Sequence, residues 1–234
     1  MLKDSQSNAK SVLSILQKFN VHIFSGHTHF HKNEILANNI YEHNVGAVCG
    51  FHWQGNSSRC GTPNGYMIVD VDGDNIRWHF KPTGHDLSYQ FKIYKPGEFS
   101  SQTEYIVANV WDWDNTYKIN WYEDGILKGS MEQFSDIDQD FIDSGRVKVY
   151  RTDHLFRAKP SSTAKEIKIE VINRLHQNNR IIINIERIRP VYNIGRIPLF
   201  TLTKCLFYHD FSSYISGLYN IQTLLQFNIR FIIR

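Results

Sequence analysis

The chain has 234 residues, 14% of them aromatic and 21% charged, which is enough apolar material for a buried core and argues against general disorder. Its formal charge of +3 is uneven: residues 188–234 carry +4 and the remainder −1. A basic groove is therefore not indicated, and no nucleic-acid partner is expected.

The N-terminal stretch "MLKDSQSNAKSVLSILQKF" lacks the continuous apolar centre of a signal peptide, so localisation is left open. Ser5 or Ser7 can cap a helix whose apolar residues Val12, Leu13, Ile15, Leu16 and Phe19 recur at helical spacing. "VHIF" (21–24) then reads as a short buried strand, ended by Ser25 and Gly26. Three histidines, His27, His29 and His31, follow in the loop. Loops that leave the carboxyl ends of strands are where helix-covered sheets usually bind ligands.

On an extended segment, side chains two residues apart point the same way, so His27 and His29 can converge on one volume. Two imidazoles suit zinc, manganese or iron, and His31 could add a third ligand for a mononuclear site. Spacing alone does not settle this against an incidental "HxH". His22, on the strand, reads as packed in the core or at its edge.

From residue 40 to 96 the pattern becomes short β-prone runs, among them "VGAVCGF", "GYMIVDVDGDNIRWHF" and "YQFKIYKP". "DGD" (72–74) between two alternating runs predicts a hairpin rather than a calcium loop. "GTPNGY" (61–66) reads as a structural turn. Cys49, Cys60 and Cys205 form no CxxC pair; Cys49 and Cys60 could pair with each other or remain buried thiols.

A boundary is expected at the polar stretch "GEFSSQTE" (97–104). Beyond it, "YIVANVWDWD", "TYKINWYEDG", "GRVKVYRT" and "AKEIKIEVIN" alternate apolar and polar positions around turns at Asp124-Gly125 and Ser144-Gly145, which argues for a β-sandwich. Tyr117, Ile119 and Trp121 share one strand face and read as core. From about Ile188 the rhythm is lost, and the tail reads as non-native, for example frame-shifted. Within it, Phe211 to Ile229 is uncharged, but its Ser, Asn and Gln residues make a poor membrane span, so no clear membrane segment is present.

"SGHTH" (25–29) resembles the last signature of the calcineurin-like metallophosphoesterases. The likeness continues in "VHIFSGHTHFHKN", "EHNVGAVCGFHWQG", "CGTPNGYMIVDVDGDNIRWHFKPTGHD" and "QFKIY", which are similar to the end of the catalytic domain in a bacterial branch of that family. "NVWDWD", "YEDG" and "HLFRAKPSS" resemble the β-domain attached to it. The resemblance implies an α+β, mostly β fold. Residues 1–96 would form part of an α/β/β/α phosphoesterase sandwich, 97–187 an antiparallel β-sandwich, and 188–234 the atypical tail.

The resemblance also implies two divalent metal ions (Mn, Fe or Zn, not distinguished) that ionise a water for attack on a phosphoester substrate. His27 would bind one metal and His29 the other, and His52 and Trp53 would line the substrate pocket. The family's Asp-x-His, Gly-Asp-x-x-Asp, Gly-Asn-His-Asp/Glu and isolated His all precede the final Gly-His-x-His, and none stands in the 26 residues before His27. No catalytic residue is therefore assigned. The chain is expected to be a C-terminal fragment, inactive alone, whose partner is a separately encoded N-terminal half. The rival readings are a non-catalytic β-domain that binds glycan or protein, and a mononuclear metal protein using His27, His29 and His31.

Overall fold

The computed structural model describes residues 8–51, 55–146 and 150–172, together with the backbone of 183–188 and 230–233. Strand dominates, and the fold is α+β and mostly β with antiparallel sheets, as expected.

Helix α1 (Ala9–Leu16) forms where apolar residues recur at helical spacing. Its N-cap is Asn8, whose side chain makes no capping bond; the expected caps, Ser5 and Ser7, lie outside the described residues. Leu16 is buried and joins Val21, Ile23 and Ile40 in a small core, with Val12 and Leu13 packed against it. Ile15 and Phe19, expected on the buried stripe, are exposed at 69% and 38%.

Strand β1 (Val21–Ser25) lies parallel to β3 (Ile40–Asn44), in register from Val21 opposite Ile40 to Ser25 opposite Asn44. β2 (Lys32–Ala37) returns antiparallel to β3 through an Asn38-Asn39 turn, with Asn39 at φ 62. The expected hairpin is present as β4 (Gly65–Asp72) and β5 (Asn75–Pro82). Asp72 pairs with Asn75 across Gly73 and Asp74, and Gly73 takes a positive φ of 54. Trp78 and Phe80 of β5 are buried, which anchors this two-stranded ribbon.

A second sheet runs β10 (Glu132–Ile137), β11 (Arg151–Ala158), β7 (Ile106–Val110), β6 (Phe91–Tyr94). A third runs β13 (Ile183–Ile188), β12 (Ile167–Ile172), β8 (Lys118–Glu123), β9 (Ile126–Ser130). Alternate residues of both sheets meet in one core: Phe91, Ile93, Ile106, Ala108, Val110 and Phe156 from the second, Ile119, Ile167, Ile169 and Val171 from the third. Each buried Ile, Val or Phe side chain contributes about 1.5–3 kcal/mol by leaving water. Tyr117 and Trp121 pack on this core beside Ile119, as their shared face predicts, and Trp113 joins them.

The turn expected at Ser144-Gly145 ends a short helix, α2 (Gln139–Asp143), with Ser144 as C-cap and Gly145 at φ 69. Asp138 caps its start, its side chain accepting from the Phe141 N–H. The reading of residues 188–234 falls mostly outside the described residues; within them Arg230–Ile233 forms β14, antiparallel to β1.

Candidate metal-ligand loop and its buried support

The histidine loop leaves the carboxyl end of β1, as the strand-glycine order predicts. It is not extended, however. His27 has φ 79 and His29 φ 54, both left-handed, so the simple alternation expected for an extended segment does not apply. Non-glycine residues at positive φ cost energy and persist only where their surroundings hold them.

The surroundings hold the loop from Thr28 to His31. Asn44 Nδ2 donates to Thr28 Oγ1 and to the Phe30 carbonyl (2.8 Å). The His29 carbonyl accepts from the Arg59 N–H (2.9 Å), and the His31 N–H points at Cys60 Sγ (3.3 Å). His29 Nδ1 lies 2.8 Å from the Gly50 carbonyl. A carbonyl can only accept, so the proton sits on Nδ1 and Nε2 carries the lone pair. That is the orientation a metal-ligating imidazole usually receives from the groups around it. Gly50 can supply its carbonyl only as glycine: its φ is +65, and a Cβ would press on the backbone carbonyls of Gly55 and Ser57.

His31 has a different role. Its Nδ1 accepts from the Gly46 N–H (3.3 Å) and its Nε2 donates to Asp112 Oδ1 (3.0 Å), with the ring 1% exposed. Both nitrogens are thus engaged, which removes His31 from the three-histidine arrangement. Among the described residues no group of three or more His, Cys, Asp or Glu is placed to hold a metal. His27 and His29 are two imidazoles, one fewer than the three protein ligands a catalytic zinc usually takes.

Asp112 gathers a buried network. Asn33 Nδ2 donates to its carboxylate (2.7 Å) and its carbonyl (2.9 Å), and Asn33 Oδ1 accepts from His43 Nδ1 (2.7 Å). His43 Nε2 then accepts from His22 Nδ1 (3.0 Å), and the two rings stack 3° from parallel. His22, buried against Tyr41 and Trp78, is a core histidine as its strand position suggested. Burial would raise the Asp112 pKa, but the bonds and charge of His31 and the bond from Asn33 outweigh it and hold the carboxyl below its usual range. Burial, with His22 and His31 adding to it against Asp112, drives His43 down to about 3. His154, likewise buried, is lowered to about 4 and meets Phe30 of the loop edge-on.

Cys49 and Cys60 are both free thiols, and no bond joins them. Burial pushes the Cys60 thiol up, which fits a structural acceptor for the loop rather than a nucleophile. His52 and Trp53, expected at the substrate pocket, lie outside the described residues.

The supporting residues Asn33, His43, Asn44, Gly50 and Asp112 were not singled out from sequence, and Cys60 was read only as a possible disulfide partner or buried thiol. "EHN" (42–44) could have been, because three polar residues at the end of a β-prone run following "VHIF" need buried partners. Asp112 sits in "NVWDWD", where the tryptophans draw the eye.

Together these features define a mostly β protein with a rigidly held histidine loop at a strand's carboxyl end. Residues 42–178 match the family model MetallophosC, described as the C terminal of calcineurin-like phosphoesterase, and the chain belongs to this family. The histidine loop precedes the matched stretch. Comparison with curated proteins and with solved structures found no match. Among the described residues no helix is long and apolar enough to cross a membrane.

Proposed function

We propose that this chain acts as the C-terminal part of a metal-dependent phosphoesterase, with His27 and His29 as two ligands of a divalent-metal centre completed by an N-terminal part. Residues 1–96 belong in this reading to the catalytic unit, 97–187 to the attached β-sandwich, and 188–234 to a tail of separate origin. The two units share a sheet, because β6 pairs with β7 (Phe91 opposite Val110, Tyr94 opposite Val107).

The observation that carries the reading is the His29 Nδ1–H bond to Gly50 within a loop fixed from four sides. It orients the ring in the way that groups around metal-ligating imidazoles usually do. Family membership supplies the reaction class: a metal-ionised water attacking a phosphoester. His52 and Trp53 stay in the proposal as residues at the substrate mouth.

The test is a Zn²⁺ or Mn²⁺ titration followed by the ring signals of the histidines. Selective perturbation of His27 and His29, weakened together by His29→Ala, supports the reading; metal perturbing other histidines first overturns it. The coding DNA upstream of Met1 and across codon 188 is the second test, since the missing Asp-x-His, Gly-Asp-x-x-Asp and Gly-Asn-His-Asp/Glu motifs belong there in a split enzyme.

A further inference from the structure

Arg59 is a half-buried cation with no carboxylate in ion-pair reach among the described residues. Its guanidinium lies over two rings, 4.6 Å from the centroid of Phe51 and 4.2 Å from that of Tyr150. Those rings are 5.9 Å apart and inclined at 59°, so they form a corner that covers one side of the cation. Such packing engages the face of a guanidinium and leaves its N–H donors pointing outward in the plane. Nε is closed off and unbonded, and a ligand does not reach it. The two terminal nitrogens are neither bonded nor closed off, and they are the donors on offer. The neighbouring Arg146 also lies over Phe51 (5.5 Å), but it donates to the Ser57 carbonyl (3.2 Å) and is not counted here.

The place of this cation gives it a role. The Arg59 N–H donates to the His29 carbonyl (2.9 Å). Phe51, which carries the Arg59 guanidinium, also meets the His29 ring edge-on at 6.4 Å. Backbone and side chain thus both set Arg59 beside the proposed metal ligand. A planar fork of donors without a carboxylate partner suits an oxyanion with paired oxygens, and a phosphate dianion is drawn to it more strongly than a carboxylate monoanion. We propose that Arg59 binds the phosphate group of the substrate, held for that purpose in the corner between Phe51 and Tyr150. The proposal rests on the phosphoesterase reading and adds to it a substrate-binding residue.

The test titrates the metal-free full chain with inorganic phosphate at constant ionic strength and mildly alkaline pH. The reporters are the backbone amide signals of Gly50, residue 59 and Cys60, which wild type and variants share. Saturable shifts are expected, with acetate binding at least several-fold more weakly. Arg59→Gln removes both fork and charge and should weaken phosphate binding about tenfold. Arg59→Lys keeps the charge alone and should fall between. If Arg59 only supports Phe51 and Tyr150, Arg59→Gln lowers the urea midpoint and leaves the affinity unchanged, which overturns the proposal. Acetate binding equally well, or phosphate failing to saturate, overturns it too. Should Arg59→Gln fail to fold, Arg59→Lys decides, with a several-fold loss of affinity expected and an unchanged affinity fatal. Failure of the metal reading shows separately, in the metal titration of the histidine signals, where Arg59→Gln should leave the perturbation of His27 and His29 in place. Metal perturbing those two while phosphate fails to saturate removes Arg59 and keeps the metal ligands.

Discussion

Asp112 is the residue on which the buried polar network depends. Its carboxylate receives the buried His31 and the half-buried Asn33. Asp112→Ala leaves the buried His31 Nε2–H without an acceptor, while Asn33 keeps the backbone carbonyl at 112 (2.9 Å), and should cost about 1–3 kcal/mol, read as a fall in the urea midpoint. His29→Ala should cost far less, because that residue is half-buried and its bond to Gly50 is peripheral. The network also sets a pH dependence. His43 and His154, lowered to about 3 and about 4, stay neutral in the fold and take up protons on unfolding below their ordinary value. Their stabilisation is complete above about pH 6.5 and is lost as pH falls through the folded values. Asp138 has the opposite sign. Burial raises it to about 6, against its bonds from Asn109 and Tyr94, so its contribution is present at low pH and lost as pH rises through that value. Two protons taken up against one released leaves about 1.4 kcal/mol lost per pH unit on acidification from about pH 6 to about pH 4.5. Urea melts of the wild type and of His43→Asn measure this, and the variant should show the shallower slope. The packing of His22 could be read from its strand. The role of Asp112 could not, because its partner His31 is 81 residues away and nothing local marks the pair.

Elements whose signals are local were legible. The β4–β5 hairpin follows from a turn glycine between alternating runs, and α1 from its apolar spacing. β2 was missed because "KNEILA" has one β-branched residue and no clean alternation, and its pairing with β3 decides its conformation. α2 was missed because five residues carry no helical period; its definition comes from Asp138, which caps it while holding Tyr94 and Asn109 (2.8 Å each). The loop at Gly61, read from sequence as a plain turn, packs directly on that same cap. Gly61 has φ +81, and a Cβ there would overlap the Asp138 carboxyl. Gly61→Ala therefore strains the backbone and displaces a buried cap at once. A loss of more than about 2 kcal/mol is expected, with the cap alone worth about 1 kcal/mol. Calorimetry of Gly61→Ala beside Gly97→Ala, where φ is also positive but a Cβ meets nothing, separates the two causes. Equal losses would mean that backbone strain alone is responsible.

For the whole molecule, the division of residues 1–96 from 97–187 has a physical consequence. His31 and Asn33 find their acceptor in Asp112, and Phe91 to Tyr94 find their strand partner in β7. A polypeptide of residues 1–96 would leave the buried His31 and the half-buried Asn33 without that acceptor and expose the edge and apolar face of β6. It should be poorly soluble and lack a cooperative melt. Adding residues 97–187 in trans should restore both properties if the shared sheet and Asp112 are what it lacks. Activity separates from folding in the same experiment. The restored pair should still fail to hydrolyse an aryl phosphate with added Mn²⁺ or Zn²⁺, because among the described residues two histidines stand where a catalytic zinc usually takes three protein ligands, and a two-metal site takes more. Metal-dependent turnover by the chain, abolished by His27→Ala, would show that the site is complete without an N-terminal part. Turnover only after a polypeptide bearing the Asp-x-His and Gly-Asn-His-Asp/Glu motifs is added would establish the loop as one half of a divided metal centre, held in place by the network through Asp112.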